Sequence, residues 1–144
     1  MRDNLIFVVL ISILVFMGVF TYLNLESSGK YEDYERKIVY DYTPEKLHMA
    51  LTSGKPTLLE IAADWCPYCR EMAPTMNTIK EKYKSEFNII TANADLDLDL
   101  VRYYQVKGLP TLVFFDREGK EVFKLVGFQE KEKLEKIIEE LIQK

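Results

Sequence analysis

The sequence is poor in the residues that build several kinds of site. Its 144 residues contain two cysteines and one histidine, His48. Two cysteines exclude a disulfide-stapled miniature fold. They also cannot close a four-ligand zinc site without help, and only His48 and carboxylates remain to supply the other two ligands; a Ser-His or Cys-His hydrolase has little to build on. Positive charge is not in excess: 19 Lys and Arg face 23 Asp and Glu, a net of −4. No bulk positive field is present to neutralise phosphates, so a nucleic-acid partner is not expected. The apolar fraction is 48%, too high for a disordered chain. The length suits one ordinary domain, or one small domain plus an appendage.

The apolar residues are unevenly spread. Residues 5–23 read LIFVVLISILVFMGVFTYL, 19 residues without a charge. A helix of that length spans about 28 Å, close to a bilayer core. Tyr22 lies at one end, as an interfacial residue does. A cleaved signal peptide is the alternative, but its apolar core is usually about 7–15 residues and ends in an Ala-x-Ala-like site; Ser27-Ser28-Gly29 is a poor substitute. The expectation is a retained signal anchor over residues 5–23, a short cytoplasmic N-terminus over 1–4, a polar tether over 24–36 and one domain over 37–144. Arg2 precedes the span; Lys30, Arg36 and Lys37 follow it, interleaved with acids. Positive charge alone slightly favours a cytoplasmic domain, although that count carries little weight for a long translocated segment. Tyr31, Tyr34, Tyr40 and Tyr42 leave open whether they pack on the membrane or on the domain.

Within the domain, hydrophobic spacing predicts strands over 38–40, 56–63, 87–92, 111–115 and 120–126. It predicts helices from Thr43-Pro44-Glu45 to Gly54, over 65–84 with Pro74 inside, over 96–104, and over 131–143. Strand–helix alternation followed by a hairpin implies an α/β fold: a mixed central sheet with helices on both faces.

Both cysteines, Cys66 and Cys69, fall where a buried strand hands over to a helix. Free N–H groups and the helix dipole there favour an anion, hence a thiolate at Cys66. The i, i+3 spacing allows the second sulfur to reach the first. The first can attack a disulfide, and the second can resolve the mixed disulfide. Pro67 suits the first helical turn, and Tyr68 is expected to be exposed beside the pair. Asp95, Asp97 and Asp99 read as helix-capping acids rather than a calcium site. His48 reads as a surface or half-buried structural residue.

Ala63-Asp64-Trp65-Cys66-x-x-Cys69, Pro74 and Gly108-Leu109-Pro110-Thr111 together resemble the thioredoxin family, over about residues 38–144. The resemblance implies a thioredoxin fold and thiol–disulfide exchange, with Cys66 as nucleophile, Cys69 as resolving thiol and no cofactor beyond the Cys66–Cys69 disulfide. It implies a cis Pro110 opposite the cysteines that presents the Leu109 backbone to an extended substrate and keeps metals off the thiols. Trp65, Pro67, Tyr68 and the Gly127 loop would border that groove. The family's buried acid, usually Asp, is here Glu60. Burial should raise its pKa and let it carry the proton of Cys69; the alternative is an exposed carboxylate at the strand end. The lysine that commonly pairs with that acid is replaced by Thr91, so an unpaired Glu60 should titrate higher still. Pro67-Tyr68 is the dipeptide of glutaredoxins, whose potentials lie about 40–70 mV above that of thioredoxin.

The expected function is that of a monomeric, extracytoplasmic, membrane-tethered reductase of protein disulfides, in the cytoplasmic membrane of a prokaryote and fed by a membrane electron donor. Apocytochrome c or similar thiols are candidate clients. The competing readings are an oxidase or isomerase of secreted proteins, an iron–sulfur-bridged dimeric carrier, and a non-redox binding or chaperone module.

Overall fold

The computed structural model describes residues 8, 10–22 and 36–144. Residues 10–22 are helical and expose their Leu, Ile, Val and Phe side chains. Among the described residues, no helix is long and apolar enough to cross a membrane. The expected span over 5–23 and tether over 24–36 lie partly outside the described residues, as do Tyr31 and Tyr34.

Residues Arg36–Lys144 form one compact unit. Its elements are α1 (Pro44–Leu51), β1 (Thr57–Ala62), α2 (Pro67–Tyr83), β2 (Asn88–Asn93), α3 (Leu98–Tyr103), β3 (Thr111–Phe115), β4 (Glu121–Val126) and α4 (Lys131–Gln143). The strands lie in the order β2-β1-β3-β4. β1 and β2 run parallel, joined by the α2 crossover, while β3 and β4 run antiparallel. The sheet is therefore mixed, as the element order implies.

Alternation along the strands assigns each side chain to a layer. Leu58, Ile89, Leu112 and Phe114 face one way and pack with Met72, Met76 and Ile79 of α2 and Leu134, Ile138 and Leu141 of α4. Leu59, Ile61, Ile90, Val113 and Phe115 face the other way, against Leu47 and Ala50 of α1 and Leu100 of α3. Burying each such side chain is worth about 1.5–3 kcal/mol, so both faces hold helices firmly. A third cluster (Ile38, Ala62, Ala63, Cys66, Cys69 and Ala73) closes the end of the sheet from which α2 departs.

Two expectations need correction. Residues 38–40 form no strand. Asp41 N–H and Tyr42 N–H both donate to the single carbonyl of Thr91, at 3.0 and 3.1 Å. The segment is pinned to β2 at one residue and builds no ladder beside it. The helix expected over 96–104 begins only at Leu98, because Leu96 N–H and Asp97 N–H first turn back to the Asn93 carbonyl.

Candidate active site

Cys66 is the N-cap of α2, with extended backbone (φ −78°, ψ 116°) and Pro67 in the first turn. Its sulfur accepts the Cys69 N–H at 3.3 Å. A cap normally uses an oxygen; here the sulfur takes one of the free N–H groups at the helix start, an arrangement that strengthens when the sulfur is charged. Cys66 keeps 4% exposure and Cys69 none, so of the two only the first has an edge open to solvent. Both thiols are free. Trp65, Pro67 and Tyr68 surround them as exposed residues. The indole N–H of Trp65 donates to both carboxylate oxygens of Asp95, at 3.1 and 3.0 Å.

Across from the cysteines, the Leu109–Pro110 peptide bond is cis. The Cys66 thiol donates to the Leu109 carbonyl at 3.6 Å. Gly127, at φ +87°, donates its N–H to the Pro110 carbonyl at 2.8 Å. The structure thus brings Cys66, Cys69, Trp65, Leu109 and Pro110 together and ties Gly127 to Pro110. Pro67 and Tyr68 lie on the first turn of α2.

Glu60 lies deeper, on the α2 face of β1, and is 2% exposed. It is not an exposed strand-end carboxylate, and it is not unpaired. Its register partner on β2 is Thr91, whose hydroxyl donates to Glu60 Oε2 at 3.0 Å. Burial nonetheless raises the Glu60 pKa to about 7, against the lowering effects of the Thr91 hydrogen bond and of Lys80. Burial, then the hydrogen bond with Cys66, pushes Cys69 up to about 12; the Glu60 charge adds to the rise.

Sequence reasoning missed four residues around this site. Tyr40 packs against the cysteine cluster and donates to Asp64 Oδ1 at 3.1 Å; burial, then the charge of Asp64, raises its pKa. Asp41 accepts Thr91 N–H and pairs with Lys80, one step removed from Glu60. Asp95 is the partner of Trp65 rather than a helix cap, and Asp97, which does sit at the N-cap, directs its carboxylate to Asn93 N–H. None carries a local signal, because each meets its partner through strand register or loop packing. His48 is exposed on α1. Among the described residues, no three His, Cys, Asp or Glu side chains converge on a metal position.

The Thioredoxin family model matches residues 38–140. The chain belongs to the thioredoxin family. It is 42% identical over 83 residues to the thioredoxin-like protein HCF164, chloroplastic, of Arabidopsis thaliana, covering 54% of this chain and 31% of that protein. It is 37% identical over 98 residues to the thiol:disulfide interchange protein TxlA homolog of Synechocystis, covering 67% and 54%. Among solved structures, a mutant thioredoxin from Halobacterium salinarum NRC-1 superposes with a TM-score of 0.65 at 27% identity, covering 74% and 92%. The chain therefore spans roughly a third to a half of the two curated relatives and nearly all of the solved thioredoxin. Thiol–disulfide oxidoreductase is the enzyme class that this membership supports for the domain.

Proposed function

We propose that the protein is a membrane-tethered reductase of protein disulfides, facing the extracytoplasmic side of a prokaryotic cytoplasmic membrane, with apocytochrome c or similar secreted thiol proteins as clients. The observation that carries the exchange chemistry is the Cys66 sulfur itself. It caps α2 through the Cys69 N–H at 3.3 Å and lies 3.6 Å from the Leu109 carbonyl beside the cis bond.

The reaction runs in two displacements. The Cys66 thiolate attacks one sulfur of a client disulfide. A Cys66–client bond forms, the client's own S–S bond breaks, and the departing client sulfur takes up a proton. The client backbone lies in extended form along Leu109, bordered by Trp65, Tyr68 and the Gly127 loop. Cys69 then attacks Cys66 Sγ. The Cys66–Cys69 bond forms, the mixed disulfide breaks, and the second client sulfur leaves as a thiolate and is protonated. Two electrons have passed from the dithiol to the client, and a thiol donor in the membrane restores the dithiol.

Glu60 is the base for the second step. With its pKa at about 12, Cys69 would be ionised to only about one part in 10⁵ at pH 7 without help. A carboxylate with pKa about 7 is matched to take that proton near neutrality. The anchor supports the extracytoplasmic reading, since a tether confines the domain near a membrane reductant and near emerging clients.

The deciding measurements are a redox titration and mixed-disulfide trapping with Cys69→Ser in the full chain. A potential well above about −150 mV would reject the reductase direction in favour of an oxidase or isomerase. Cys69→Ser is expected to accumulate covalent client adducts, and Cys66→Ser to lose both adducts and turnover. Unchanged activity in Cys66→Ser would instead identify a non-redox binding module.

A further inference from the structure

We propose that Lys80, held in place by Asp41, is the positioning residue that sets the protonation of Glu60, and through it the pH at which Cys69 resolves the mixed disulfide. The inference rests on the role of Glu60 as the base.

The arrangement is a continuous polar chain through the α2 layer. Glu60 and Thr91 are register partners on β1 and β2. Both occupy the face on which α2 packs, in line with Leu58 and Ile89. The Thr91 hydroxyl donates to Glu60 Oε2 at 3.0 Å. Its backbone is clamped by one residue: Thr91 N–H donates to Asp41 Oδ1 at 2.9 Å, and Thr91 C=O accepts Asp41 N–H at 3.0 Å. The second oxygen of Asp41 receives Lys46 from α1 at 2.7 Å and Lys80 from α2. The segment over 38–42, which makes no strand, thus ties a lysine of α2 to the residue that clamps Thr91, the hydrogen-bond partner of the buried carboxylate.

The charges facing Glu60 can be named element by element. From the 38–42 segment come Asp41, whose anion raises the Glu60 pKa, and Tyr40, whose phenol is held neutral. From α2 come Lys80, which lowers it, and the thiol of Cys69. Lys46 of α1 acts on Asp41. Thr91 on β2 offers only a neutral hydrogen bond, and Leu112 on β3 offers none. Burial opposes the Asp41 charge, but the hydrogen bonds from Lys46, Lys80 and Thr91 N–H overcome it and keep that pKa low. Lys80 is therefore the cation that offsets the burial of Glu60. A strand lysine would do this directly; here the charge arrives from the crossover helix, with an aspartate as its anchor. Without it a larger share of the Glu60 carboxyl would stay protonated near neutrality, and fewer molecules could take the Cys69 proton.

The test uses the detergent-solubilised full chain and two readouts. One is the infrared carbonyl band of the protonated Glu60 carboxyl, identified by its loss in Glu60→Gln and followed across neutral pH. The other is the pH profile of mixed-disulfide resolution. Lys80→Met is expected to raise the carboxyl midpoint by about one pH unit and to slow resolution about fivefold at pH 7, as the ionised fraction falls. Lys80→Arg should restore both. In an Asp41→Asn background, where Lys80 has lost its anchor, Lys80→Met should move the midpoint by much less than it does in the parent. A purely structural role would not make the effect of Lys80 depend on Asp41. An unmoved midpoint in Lys80→Met, or an equal shift with and without Asp41, overturns the assignment. If Glu60→Gln resolves with the parent's rate and profile, Glu60 is not the base and the proposal falls with that reading. If Glu60→Gln is slow while Lys80→Met leaves the midpoint in place, the base stands and Lys80 alone is rejected.

Discussion

Burying the Glu60 carboxyl beneath α2 has consequences for stability as well as for proton transfer. Its pKa rises on folding from an ordinary 4.5 to about 7. The sign follows from linkage: the folded state holds its proton more tightly than the unfolded chain. The fold is therefore most stable below pH 4.5 as far as this group is concerned, loses stability as pH rises from there to about 7, and stays at that lower level above it. At about 1.4 kcal/mol per pH unit, the loss reaches about 3 kcal/mol. Glu60→Gln keeps an acceptor for the Thr91 hydroxyl and carries no charge. Urea denaturation should find it about 3 kcal/mol more stable than the parent above neutrality and nearly equal to it around pH 4. An equal difference at both pH values would mean that the gain comes from packing and not from ionisation. Legibility at this scale depends on sequence distance. Cys66, Cys69 and Pro110 announce themselves through neighbours a few residues away. Asp95 lies 30 residues from the Trp65 it binds, and Asp41 lies 50 from Thr91. Only register and loop packing bring those pairs together, and no local pattern encodes either.

Elements with a strong single preference can be read from the chain with little error. Helix α4 repeats apolar residues at helical spacing and spans Lys131–Gln143, the predicted range; β3 spans Thr111–Phe115, also as predicted. Elements whose polar groups have a competing use cannot. The 38–40 run has strand-like residues, yet its neighbours Asp41 and Tyr42 turn their N–H groups onto one carbonyl. The β3–β4 hairpin has a similar hidden partner. The predicted strands over 111–115 and 120–126 leave residues 116–119 as the turn, but nothing in the sequence shows what the turn docks against. Gly119 has φ +74°, and a Cβ there would lie 2.4 Å from the Leu51 carbonyl oxygen at the end of α1. That obstacle is backbone and cannot rotate away. Gly54 has nearly the same φ, +73°, with nothing within 4 Å. The pair separates backbone conformation from contact. Gly54→Ala should cost about 1 kcal/mol for the left-handed conformation. Gly119→Ala should cost about 3 kcal/mol or more, since α1 and the hairpin must also part. Chemical denaturation with an unchanged slope tests both; equal losses would show that the hairpin does not bear on α1.

For the whole molecule, a membrane tether would join two parts with different solvents. Residues 5–23 carry no charge over 19 positions, and about 20 apolar residues suffice for a bilayer core. The domain has the opposite character: its α4 face is laced with Lys and Glu, and the chain's net charge is −4. A tethered enzyme has its surroundings set by which side of the membrane it occupies, and the charges flanking the span do not decide that side firmly. Arg2 stands before it and Lys30, Arg36 and Lys37 after it, the latter mixed with Glu26, Glu32, Asp33 and Glu35. The proposed reductase activity would favour the outside, because disulfides persist there and would give it substrates. The full chain expressed in a bacterial host should remain with membranes through an alkaline carbonate wash. A membrane-impermeant maleimide applied to intact, reduced cells should label Cys66, the cysteine with an edge open to solvent. Cys66→Ser should abolish most of that labelling, since Cys69 is fully buried. Labelling that appears only after lysis would put the domain in the cytoplasm and remove the reason for a membrane electron donor. Release by carbonate would show that residues 5–23 do not anchor the chain, leaving the chemistry of Cys66 intact but its clients soluble ones.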